Sequence, residues 1–226
     1  MRPFARSVLR GSLIAVCVLG STSGLRAQAQ ANANANNNLK QLGLAMFNYS
    51  QEHRGLPPAA ICDKEGKPLL SWRVAILPYL EQGGLQKQFK LDEPWDSPAN
   101  KKLIERMPRV FDSFSDKTGE TNYRVFFGGG ALFDLKQKTP IRQITDGTSN
   151  TFLIVETAES VPWTAPQEIE YGAKKALPKL GVGRRAVVFG VAFADGAVRR
   201  LPTTLAETKL RAGITKAGGE IVNFDE

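Results

Sequence analysis

One histidine, His53, stands in a chain of 226 residues. Any catalytic triad, paired-histidine metal site or imidazole general base must therefore pass through it. No Gly-x-Ser-x-Gly accompanies it, and its place just before Gly55 suits a cation meeting the last carbonyls of a helix. A hydrolase using Ser or Asp chemistry is the least favoured reading. Asp92, Glu93 and Asp96 crowd three carboxylates onto one loop near Asn100, and oxygen ligands suit calcium. Their spacing is not that of an EF-hand, however, and Asp96-Ser97-Pro98 already reads as the start of a helix. Asp146-Gly147-Thr148-Ser149-Asn150 reads first as an Asx turn and second as a cation loop. Gly128-Gly129-Gly130 follows a strand but opens no Gly-Lys-Ser/Thr helix start, and Gly181-x-Gly183 is a loop. No cofactor is expected.

Cysteine and charge narrow the field further. Cys17 falls in an apparent leader, which leaves Cys62 as the lone thiol of a mature chain. An internal disulfide and a tetrathiolate metal site are thereby excluded. The formal charge of +8 suggests an anionic partner until Arg2, Arg6, Arg10 and Arg26 are set aside with the leader. Lys and Arg then fall from 30 to 26 against 22 acids, too small a surplus for nucleic-acid binding without a basic run. Hydrophobic residues make up 42% and charged residues 23%, the balance of a globular domain able to bury a core.

The elements that must hold these residues begin with an export signal over residues 1–29. Arg2, Arg6 and Arg10 precede the apolar run Leu13 to Leu19, and Ala27-Gln28-Ala29 fits signal cleavage after Ala29. That run is shorter than the ~20 residues that span a bilayer, so no transmembrane segment is expected in the mature chain. Residues 30–36, QANANAN, read as an Ala/Asn-rich flexible spacer, and residues 37–226 as one domain. Leu39, Leu42, Met46 and Tyr49 form one apolar stripe of a helix capped by Asn37 or Asn38 and ended by a left-handed Gly55. Gly43 is expected to allow a close backbone approach. Leu44 and Phe47 lie off the stripe, and the expectation is that the domain covers them too; a partner-binding shoulder is the alternative. Ser71 caps a helix over residues 72–81 in which Pro78 bends the last turn and Gly83-Gly84 ends it, and Ser97-Pro98 starts another over 101–106.

The second half changes period. Strands are read at 123–127 and 151–156, then a hairpin from Ala186 to Leu201 turning at Asp195-Gly196, then a helix over 205–214. Trp163, between Pro162 and Pro166, packs a proline-rich loop onto the domain or anchors a partner. Helices first and strands later imply α+β, with a long N-terminal helix packed on a mostly antiparallel sheet.

The segments NNLKQLGLA from Asn37, SWRVAILPYLEQ from Ser71, DEPWDSP from Asp92, ITDGTSNTFLIVE from Ile144, VPW at Val161 and FADGAVR from Phe193 occur in order. Together they resemble the domain of unknown function abundant in planctomycete bacteria, whose members commonly carry a prepilin-type N-terminus. The resemblance implies a pilin- or pseudopilin-like fold and no enzyme activity. Two features depart from it. Gly11 is followed by Ser12, Val16 stands where such members carry Glu, and the 30–36 spacer is expected to break the helix, which points to a soluble exported form. Many members also place a His ten positions before the Asp-Gly turn, where this chain has Arg185. The leading expectation is an exported, non-enzymatic pilin-like structural or interaction protein of the cell envelope, with protein partners, located in the periplasm or outside the cell. The alternative is a periplasmic or extracellular ligand-binding module, calcium-dependent through Asp92, Glu93 and Asp96.

Overall fold

A computed structural model describes residues 14–112, 118–183, 186–220 and 222–224. Helix α1 spans Ile14–His53. The break expected over residues 30–36 is not present, because the helix runs straight through them. Alanine at every second position, the strongest helix former, offsets the weaker asparagines. Asn37 and Asn38 are therefore interior rather than caps, and Asn38 spends its side-chain amide on the carbonyl of Asp112 at 2.9 Å. Two compact units divide this chain, residues 1–35 and 36–226. The first holds the part of α1 up to Ala35; the second holds its remainder, from Asn36, and everything that follows.

Within the second unit, a hairpin of β1 (Ala60–Cys62) and β2 (Pro68–Ser71) leads into α2 (Trp72–Ala75). Ser71 caps α2 as expected, accepting from the Arg73 amide at 3.3 Å. The helix read over 72–81 is broken at Ile76, and a 3-10 turn, Leu77–Leu80, continues with Pro78 near its start. The Gly pair opens α3 (Gly83–Gln86) instead of ending a helix, and residues 101–106 form a 3-10 helix. The strand read at 123–127 divides at Val125. Its first part is β3 (Glu120–Arg124), in the main sheet; its second is β4 (Phe126–Phe127), paired in parallel with β6 (Ile169–Glu170).

Strands β5 (Phe152–Pro162), β7 (Val188–Phe193) and β8 (Val198–Pro202) complete a four-stranded antiparallel sheet ordered β3-β5-β7-β8. The Asp-Gly turn is one residue looser than a two-residue hairpin. The Gly196 amide bonds to the Phe193 carbonyl at 3.0 Å, and Phe193 N–H to Ala197 at 2.8 Å, with Gly196 left-handed. Helix α4 (Glu207–Ile214) ends the fold.

Side chains alternate across this sheet with the period of a strand. Ala192 and Ile154 join Leu39, Leu42 and Met46 in the cluster on the α1 side. Phe189, Val191 and Phe193 join Phe152, Ile214 and Phe224 on the opposite side. The expected stripe is buried: Leu39, Leu42 and Met46 have no exposed surface, and Tyr49 is partly covered. At Gly190 the sheet leaves no room for a side chain beneath α1. A Cβ there would lie 2.8 Å from the Leu39 side chain and 2.9 Å from the Glu156 carboxyl carbon. Gly43 is not a close approach; its Cβ would meet Leu153 at an ordinary 3.8 Å.

Candidate functional site

The end of α1 is built differently from the sequence expectation. Arg54, not Gly55, takes the left-handed conformation, with φ 61°. The Gly55 amide then reaches back to the Ser50 carbonyl at 3.1 Å, as in a Schellman cap. Gly55 is required for space, since a Cβ would sit 3.1 Å from the carbonyl carbon and oxygen of Thr139. Leu56 pairs with Thr139 through two backbone hydrogen bonds of 2.9 and 3.2 Å. This ties the end of the helix to the loop carrying Ile141 and Ile144.

That loop, α1 and the β7–β8 turn enclose an apolar groove of about 390 Å³. Gly43, Leu44, Phe47, Leu56, Ile141, Ile144 and Leu153 line it, with Lys40 and Asp195 as its charged members. Leu44 and Phe47 are 60% and 47% exposed, so the expectation that the domain covers them is wrong. The physical reason is width: the domain covers the face carrying Leu39, Leu42, Gly43, Ala45 and Met46, and Leu44 and Phe47 on the flank of that face point past it.

A second cavity, about 580 Å³, opens beside the last turn of the same helix. His53 does not meet a carbonyl there. Its Nε2 lies 3.1 Å from the Tyr79 hydroxyl, and its ring sits on Tyr49 with centroids 4.2 Å apart. The Tyr79 hydroxyl donates to Glu52 Oε2 at 2.6 Å, so its oxygen is left to accept from His53. Burial and the Glu52 hydrogen bond push the Tyr79 phenol up to about 12, and burial raises Tyr49 above its ordinary value. Both rings are therefore neutral near pH 7. Sequence reasoning missed Tyr79, which is 26 positions from His53 and reaches it only through the 3-10 turn.

The other charged residues brought together are structural. Arg73 is fully buried, 2.6 Å from Glu168 and 2.6 Å from Ser71 Oγ, and it also donates to the Tyr123 carbonyl. Burial pulls its pKa down, and Glu168 opposes that. Glu156 accepts from Arg200 at 2.9 Å and from the Gly190 amide at 2.7 Å, while Arg200 also holds Asn36 at 3.1 Å. Neither pair was read from the sequence. Trp163 is fully buried, stacked on Phe111, and donates to the Ile104 carbonyl at 2.9 Å; it is core, not an anchor.

Of the calcium candidates, Asp92 and Asp96 are exposed and Glu93 is half-buried. Asn100 gives its side-chain amide to the carbonyls of Lys90, Glu93 and Pro94, which ties the loop to its own backbone. Among the described residues no group of three or more His, Cys, Asp or Glu side chains is placed to hold a metal ion. Asp146 does not cap its own turn; it accepts the amides of Gly218 and Gly219 at 2.6 and 3.0 Å. Gly128 to Gly130 form the expected turn, all three with positive φ. Arg185, and the leader residues 1–13 with Gly11 and Ser12, lie outside the described residues. No helix among the described residues is long and apolar enough to cross a membrane.

Residues 28–111 match the family model described as Protein of unknown function (DUF1559). This stretch is similar to a domain of unknown function, and it contains Leu44, Phe47, Tyr49, Glu52, His53 and Tyr79. It stops short of the four-stranded sheet. No curated protein and no solved structure matches the chain.

Proposed function

We propose that this chain is an exported, non-enzymatic, pilin-like interaction protein of the cell envelope that engages a protein partner through the Leu44–Phe47 shoulder of α1. The observation that carries this reading is the exposure of two large apolar side chains at the lip of an apolar groove. Leu44 and Phe47 are already about half covered, so burying the rest would contribute about 1 kcal/mol each, which gives a partner with an apolar ridge a reason to dock. Lys40 and Asp195 supply opposite charges at the groove and so orient the partner rather than select one sign.

Export is supported by the arginine-flanked apolar run and the Ala-Gln-Ala pattern. The pilin-like part is supported by the segment resemblance, by a long first helix on an antiparallel sheet, and by the continuity of that helix through residues 30–36. A non-enzymatic role is supported by the surroundings of the single imidazole, which is engaged by Tyr49 and Tyr79.

The test is the double substitution Leu44→Glu with Phe47→Glu, expressed in the native host. Both side chains are exposed, so stability should change by no more than about 0.5 kcal/mol per site. The expected outcome is an unchanged mature N-terminus and melting temperature, with loss of envelope co-fractionation. A double variant that still co-fractionates with the envelope in a complex of unchanged size would remove the shoulder from the account.

A further inference from the structure

The cavity at the end of α1 has a chemistry distinct from that of the groove. Tyr49, His53 and Tyr79 present three aromatic rings, and Ile61, Ala75, Pro78 and Leu91 supply apolar wall. Among the described residues that line it, Glu52 is the only Asp, Glu, Lys or Arg, in a chain whose formal charge is +8. We propose that this cavity binds a small organic cation of the quaternary-ammonium class.

The aromatic rings carry negative faces, and cations are drawn to such faces most strongly where water is partly excluded. Tyr49 and Tyr79 stand at 74° with centroids 5.8 Å apart, and His53 and Tyr79 at 86° and 6.3 Å. At these separations, and with Tyr49 and His53 only 4.2 Å apart, the rings pack on one another, so a cation would lie against the outer side of the cluster rather than between its members. Glu52 adds a full negative charge, which disfavours anions. Hydrated metal ions need several oxygen ligands, and one carboxylate does not supply them. A primary ammonium would need three converging acceptors, and the acceptors here are Glu52, whose Oε2 already accepts from Tyr79, the Gln86 amide and the tyrosine hydroxyls, spread around a mainly aromatic and apolar wall. A methylated ammonium needs only charge and apolar contact, which all of the lining but the Gln86 amide can provide. The volume, about 580 Å³, is in the range of small-molecule sites.

Backbone geometry points to the same place. Among the described residues, Arg54 and Glu81 are the two non-glycine positions with positive φ, 61° and 60°. Arg54 follows the helix that ends at His53, and Glu81 caps the 3-10 turn that carries Tyr79. Both are left-handed helix caps, and they end the two elements that bring the rings together.

Choline, titrated into the full chain at constant ionic strength, is the probe, with its neutral carbon isostere 3,3-dimethylbutan-1-ol as comparator. His53 is the only histidine, so its ring proton resonances form a single reporter beside the cavity. The expected result is a saturable shift with choline and about ten-fold weaker binding of the isostere. Glu52→Gln, at an exposed position, should weaken choline about ten-fold while circular dichroism is unchanged. No saturable shift with choline, equal binding of the neutral isostere, or indifference to Glu52→Gln would overturn the proposal.

Discussion

Glu156 shows how much one buried carboxylate can organise. It neutralises Arg200, accepts the Gly190 amide, and stands where the sheet meets Leu39 of α1. Arg200 in turn reaches Asn36, so one carboxylate links the central strand, the final hairpin and the helix. Removing it strands a guanidinium that is mostly covered and frees the Gly190 amide. Glu156→Ala is therefore expected to destabilise the fold by about 3–5 kcal/mol, read by chemical denaturation. A cost below about 1 kcal/mol would show that the pair is solvated and does not hold the helix. The distance along the chain, 44 residues between partners, explains why the pair was not legible from sequence. The same is true of Arg73 with Glu168, 95 residues apart.

At the scale of elements, local signals were read well where one residue decides them. Ser71 caps α2, the Asp195-Gly196 turn joins β7 to β8, and the stripe of α1 faces inward, because each depends on spacing within a few residues. Termini were read less well. Asn37 and Asn38 looked like caps, but a cap needs a non-helical residue before it, and the Ala-rich run upstream stays helical. Gly55 looked like the left-handed terminator, but its lack of a side chain is used against Thr139, and Arg54 adopts the strained conformation. These roles are separable. Arg54→Gly relieves the left-handed cost and should stabilise by about 0.5–1 kcal/mol. Gly55→Ala should destabilise, because a methyl 3.1 Å from the Thr139 carbonyl forces the loop to move. Thermal melts of the two single variants check this, and the opposite ordering would contradict the cap assignment.

At the scale of the whole domain, the α+β class and the antiparallel sheet followed from helices preceding strands. The division of labour around α1 did not. Periodicity says which residues share a face, but only the width of the sheet decides how many faces it can cover. One stripe is buried, one shoulder is exposed at a groove, and the last turn carries the aromatic cavity. Tyr79 could not be placed beside His53 from spacing, since the break at Ile76 sets its direction. The central claim is that the exposed shoulder is a working surface. Its most direct test is in-cell photocrosslinking with benzoylphenylalanine placed singly at Leu44, Phe47 and Val187, the last being 74% exposed and away from the groove. The account predicts one shared crosslinked partner from positions 44 and 47 and none from 187. No product from 44 and 47, or the same products from all three, would contradict it.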